Sequence, residues 1–109
     1  MASFLTSCVQ KTYERKVRFI LDVSNEENVK SVGIRGSNNP LSWQSDLEMK
    51  PLIEDSIYVA DVTFVTGYLG VEMKFVVNGQ FELQNEENRR IPFDLKSDTT
   101  VFKAVFNNN

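Results

Sequence analysis

Histidine is absent from the 109-residue chain. Without an imidazole there is no conventional serine or cysteine triad, no histidine-ligated metal, and no side chain that ordinarily exchanges protons near neutral pH. The single cysteine, Cys8, cannot form an internal disulfide, so no covalent framework supports the fold. Positive charge is not in excess either: 12 Lys and Arg against 15 Asp and Glu leave a net charge of −3. That balance argues against a nucleic-acid partner, and Arg89-Arg90 is too small a basic patch to neutralise a run of phosphates. No segment approaches the roughly 20 apolar residues of a membrane-spanning helix. The length suits one domain with one small core, without the second lobe that closes over many enzyme substrates. These absences favour a binding or structural module over a catalyst.

What is present alternates with period two, the signature of strands with one buried face. Val17, Phe19, Leu21 and Val23 alternate with Arg18, Ile20 and Asp22. Residues 24–28 form a polar turn, residues 29–35 a second strand, and residues 36–40 a dense cluster of turn formers. Residues 47–52 read as a weak strand that Pro51 assigns to a sheet edge. Tyr58, Ala60, Val62 and Phe64 share one face of the next strand, and Met73, Phe75 and Val77 share the core face of the one after. Asn78-Gly79 between apolar runs predicts a type I′ hairpin leading into residues 81–83. A polar loop over 84–88, a short strand over 90–93 and a last strand over 99–106 complete the pattern. Seven to eight short strands with regular turns predict an all-β, immunoglobulin-like antiparallel β-sandwich over residues 15–106. Residues 1–14 read as an N-terminal tether and 107–109 as a tail.

Catalytic constellations are poor. The turn carboxylates Glu26, Glu27, Asp55, Glu86 and Glu87 read as solvated, and no pair is set on neighbouring strands for glycoside hydrolysis. Asp22, Asn25, Glu26 and Asn28 cluster oxygen ligands but do not match the spacing of an EF-hand loop. No metal or cofactor is expected. The unusual residue is Trp43, the sole tryptophan, placed in a polar loop rather than in an apolar strand pattern. It either plugs the end of the sandwich or presents a flat platform. Sugars carry apolar C–H faces rimmed by hydroxyls, and an aromatic face flanked by amides and cations suits them.

The run Val32-Gly33-Ile34-Arg35-Gly36, then Pro40-Leu41-Ser42-Trp43, then Met49-Lys50-Pro51-Leu52 resembles the first half of the starch-binding modules of carbohydrate-binding family 20. Val71-Glu72-Met73-Lys74-Phe75-Val76-Val77-Asn78-Gly79-Gln80-Phe81 is similar to a segment shared with the family 48 glycogen-binding modules, and Asn88-Arg89 resembles the pair that follows it. The resemblance spans about residues 17–106. It implies a non-catalytic module that binds α-glucan, starch or glycogen, by aromatic stacking. Trp43 would be one platform and Phe81 would stand where the family usually has a second tryptophan. Lys74, on the outward side of its strand, would donate to sugar hydroxyls, and Asn88 would add amide hydrogen bonds. Phenylalanine at 81 offers less area than tryptophan and no N–H donor, and it could equally serve as hairpin core. The partner would be an α-glucan oligosaccharide or polysaccharide, with an enzyme domain attached in a longer native protein. The alternative from another class is a spacer or protein-docking sandwich of the same ancestry that has lost sugar binding.

Leu5, Thr6, Ser7 and Cys8 resemble a bacterial lipobox, which implies lipidation at Cys8 and an extracytoplasmic, lipid-anchored place in a cell envelope. The apolar stretch and basic residues that precede such a site are missing from residues 1–5. The other reading is a frayed terminus with an exposed thiol.

Overall fold

Alternating side chains put one face of each long strand into a shared core, and the computed structural model follows that pattern over residues 11–108, the residues it describes. Cys8 and the lipobox-like segment lie outside them. Nine strands occur among the described residues: β1 (Tyr13–Asp22), β2 (Val32–Gly36), β3 (Leu47–Glu48), β4 (Lys50–Ile53), β5 (Ile57–Thr66), β6 (Gly70–Val77), β7 (Gln80–Phe81), β8 (Arg89–Pro92) and β9 (Thr99–Val105). There are no helices among them. One sheet runs β4-β5-β1-β9; the other runs β3-β2-β6-β7, with β8 also paired to β6. The chain is thus an all-β sandwich of two sheets.

Every strand pair is antiparallel except β1 with β9, which is parallel, Phe19 lying opposite Phe102. Phe19 also meets Phe75 of the opposing sheet edge-to-face at 6.2 Å, and Phe75 lies parallel to Phe102 at 6.3 Å. These three rings join the two sheets at the centre of a core that also includes Val17, Leu21, Ile34, Phe64 and Met73. Burial of each such side chain contributes about 1.5–3 kcal/mol before ordering entropy is subtracted.

Several boundaries differ from the sequence reading; those of the last two strands, Arg89–Pro92 and Thr99–Val105, shift by one residue, and four other differences have an identifiable cause. The β1 ladder begins at Tyr13 opposite Thr66, so Tyr13 and Glu14 belong to the sheet and not to a tether. The expected strand over 29–35 starts only at Val32. Upstream, the side chain of Asn78 accepts from the backbone N–H of Lys30 and Ser31 and donates to the carbonyl of Asn28, which holds that segment as a loop. The expected single strand over 47–52 is two, because the chain changes sheets at buried Met49, whose N–H donates to the Val32 carbonyl. After the turn, where Asn78 and Gly79 have φ of 52° and 78° as a type I′ turn requires, β7 ends at Phe81 instead of continuing to 83.

Candidate functional site

The shortening of β7 leaves a gap beside β6. β7 covers Val76 and Val77, β8 covers Gly70 to Met73, and neither strand pairs with Phe75. An orphaned backbone N–H inside a protein is costly, and Glu82 supplies the missing partner. Its own N–H donates to the Phe75 carbonyl at 3.0 Å, and its carboxylate accepts from the Phe75 N–H at 2.9 Å. Glu82 is fully buried. Arg89 neutralises it with a two-pronged pair, Nε to Oε2 at 2.7 Å and Nη2 to Oε1 at 2.9 Å. The Arg89 guanidinium also lies 5.7 Å and 5.9 Å from the ring centres of Phe75 and Phe102. From the sequence, Arg89 figures only in the small Arg89-Arg90 basic patch and in the Asn88-Arg89 resemblance, and Glu82 has no role.

With Glu82 turned inward, the chain from 82 to 88 folds back over the outer face of β6. Directly opposed residues point the same way, so Gly33, Val76 and Phe81 share that outer face, as do Arg35 and Lys74. Phe81 is therefore not part of the sandwich core. Val76 points outward but is only 1% exposed, so this part of the outer face is itself covered. Trp43 comes in from the loop after β2; its ring centre stands 6.4 Å from that of Phe81, with 53° between the planes. Both rings are half-buried.

Arg35 fixes this arrangement from beneath. Its Nε donates to Asp46 Oδ1 at 2.6 Å, its Nη1 donates to the Trp43 carbonyl at 3.0 Å, and its guanidinium lies 5.3 Å from the Phe81 ring centre. Gly33 makes the approach of Asp46 feasible: a Cβ there would stand 2.8 Å from the Asp46 Cβ.

Trp43, Lys74, Phe81 and Asn88, the four residues singled out from the sequence, line one open recess of about 430 Å³ together with Gln84 and Asn85. Asn88 is exposed, and its amide nitrogen donates to Glu72 Oε1 at 3.4 Å. Lys74 differs from expectation. It is on the outward side of β6 but only 9% exposed, because the loop lies over it and its Nζ donates to the carbonyls of Leu83 at 2.8 Å and Glu86 at 3.0 Å. An ammonium has three N–H groups, so two are engaged within the protein. Gln84 and Asn85 were passed over as loop polarity; their place beside the aromatic pair depends on the turn at Glu82, which no local pattern announces.

The arrangement can do two things chemically. The inclined aromatic faces can take apolar surface, and the amides around them can exchange hydrogen bonds with hydroxyls. No group of His, Cys, Asp or Glu suited to a metal occurs among the described residues, and no helix there is long and apolar enough to cross a membrane. No family model matches the chain, and no curated protein matches it.

Proposed function

We propose that the chain is a non-catalytic carbohydrate-binding module that takes an α-glucan of the starch or glycogen type at the Trp43–Phe81 recess. The observation that carries the reading is the pair of half-exposed rings, 6.4 Å apart and 53° inclined, with Gln84, Asn85 and Asn88 at their rim. Inclined platforms suit a curved chain better than a flat ribbon, and α-1,4-linked glucose curves where a β-1,4 chain runs flat. Stacking that removes about 100 Å² of apolar surface per ring gives a gross gain of roughly 5 kcal/mol. Association entropy and incompletely replaced hydroxyl hydration offset much of it. Hydrogen bonds from the rim amides, about 0.5–1.5 kcal/mol each, restore part of that loss, and a net gain of roughly 4–5.5 kcal/mol corresponds to a dissociation constant on the order of 0.1–1 mM. A site of that strength fits a module tethered to an enzyme domain or, through Cys8, to a cell envelope, where effective concentration multiplies weak binding.

The test is retention on insoluble starch, with cellulose as the control. The folded wild type should be retained on starch, and Trp43→Ala and Phe81→Ala should each pass through. Equal passage of all three folded proteins would remove the carbohydrate reading and leave a spacer or protein-docking sandwich.

A further inference from the structure

The rim of the recess is a loop, and loops are ordinarily the least stable parts of a fold. This one is anchored at an unusual number of points from behind. Two of its residues, Leu83 and Asn85, hold left-handed backbone conformations with φ of 49° and 65°. Leucine rarely adopts that region, and it persists only where the surroundings over-determine it. The surroundings are the buried Glu82–Arg89 pair, Lys74, and the segment that follows β9. Asn107 closes the arrangement: its N–H donates to Glu82 Oε1 at 3.2 Å and its Oδ1 accepts from the Leu83 N–H at 2.8 Å. Arg89 Nη2 adds bonds to the carbonyls of Val105 at 3.1 Å and Asn108 at 2.6 Å. Residues 107 and 108, read from the sequence as a tail, are thus fastened to the wall of the recess.

We infer that Asn107 and Lys74 are positioning residues of the recess. Asn107 ties the segment after β9 to the loop, and Lys74 ties the loop to β6, so that Gln84, Asn85 and Asn88 are held in place before any ligand arrives. The inference deepens the carbohydrate reading and rests on it for the identity of the ligand. It also departs from it at one residue, since the Lys74 ammonium acts on loop carbonyls and not chiefly on the sugar. Preorganised amides bind more tightly than mobile ones because the ordering cost has been met in the free protein. A consequence is that the end of β9 and the recess are coupled: displacing residues 107–108 loosens the site.

The experiment uses Asn107→Gly and Lys74→Met. Glycine keeps the positive φ of 67° at position 107 and its backbone N–H while deleting the Oδ1 acceptor. Amide hydrogen exchange is measured without sugar, and maltoheptaose affinity is measured alongside. Both variants should remain folded, show faster exchange confined to residues 83–88, and bind maltoheptaose about three- to tenfold more weakly, the low end for the one side-chain hydrogen bond lost in Asn107→Gly and the high end for the two lost in Lys74→Met. Weaker binding with unchanged exchange in the loop would mean that these side chains touch the sugar directly, which overturns the inference. Faster exchange throughout both sheets, or no change in either measurement, would overturn it as well. If the wild type binds no maltoheptaose, the carbohydrate reading fails, and the exchange pattern alone decides whether Asn107 and Lys74 hold the loop.

Discussion

Replacing Arg89 with leucine should be among the most damaging single changes available in this domain. The substitution removes both bonds to Glu82, the bonds to the Val105 and Asn108 carbonyls, and the cation over Phe75 and Phe102. It leaves a carboxylate with no exposed surface and only the backbone N–H groups of Phe75 and Asn107 as partners. Breaking a buried pair by removing one member costs about 3–5 kcal/mol, mostly for the stranded charge. With an m-value of about 1.5 kcal/mol/M for a domain this size, the urea midpoint should fall by about 2–3 M. The Arg89→Leu/Glu82→Gln double variant should be more stable than Arg89→Leu alone, because the charge left unpaired has gone. Urea unfolding followed by Trp43 fluorescence and far-ultraviolet circular dichroism measures both. A loss below about 1 kcal/mol for Arg89→Leu, or a double variant less stable than the single, would refute the claim that this pair holds the gap beside β6.

Two further outcomes follow from separate parts of the fold. Asn78→Ala removes three side-chain hydrogen bonds and places alanine at φ 52°, so a loss of about 3 kcal/mol is expected in urea unfolding, whereas Asn78→Gly should recover the backbone share. Asp22 and Asp61 both lie below the usual carboxylate pKa, Asp22 through the hydroxyl and N–H of Ser24 and Asp61 through its hydrogen bonds with Arg18. A lowered carboxyl contributes stability above its unfolded pKa of about 4, and the contribution disappears as pH falls through the folded value. Thermal stability should therefore carry a full and constant contribution from these groups between pH 5 and 8 and lose it below about pH 4; Asp61→Asn should flatten that fall only slightly, since its pair with Arg18 is open to solvent.

How much was legible depended on whether a residue's role was set by its neighbours in the chain. The alternation along β1, β5 and β6 and the Asn78-Gly79 turn are local signals, and they give most of the core. The parallel pairing of β1 with β9 has no local signal, because strand direction is decided by the path of the whole chain. Leu47 and Lys50 look like one strand in sequence yet sit in different sheets, since a buried Met49 between them serves as the crossing point as readily as it would a strand interior. Trp43 was conspicuous because a large aromatic in a polar loop is unusual. Glu82 was not, because a charged residue between Phe81 and Leu83 reads as the outward position of an alternating strand. Its burial follows from an unpaired Phe75 N–H seven residues away and a counter-charge seven residues beyond. The rim amides inherit the same opacity, as the turn at Glu82 aims the loop that carries them.

The most direct measurement is the emission of the sole tryptophan during titration with maltoheptaose, with cellohexaose as the control. Trp43 lies in the recess, so ligand stacking there should give a saturable change with a midpoint on the order of 0.1–1 mM for the α-linked oligomer and none for the β-linked one. An unchanged spectrum with both sugars up to tens of millimolar, from a protein whose circular dichroism shows it folded, would contradict the account.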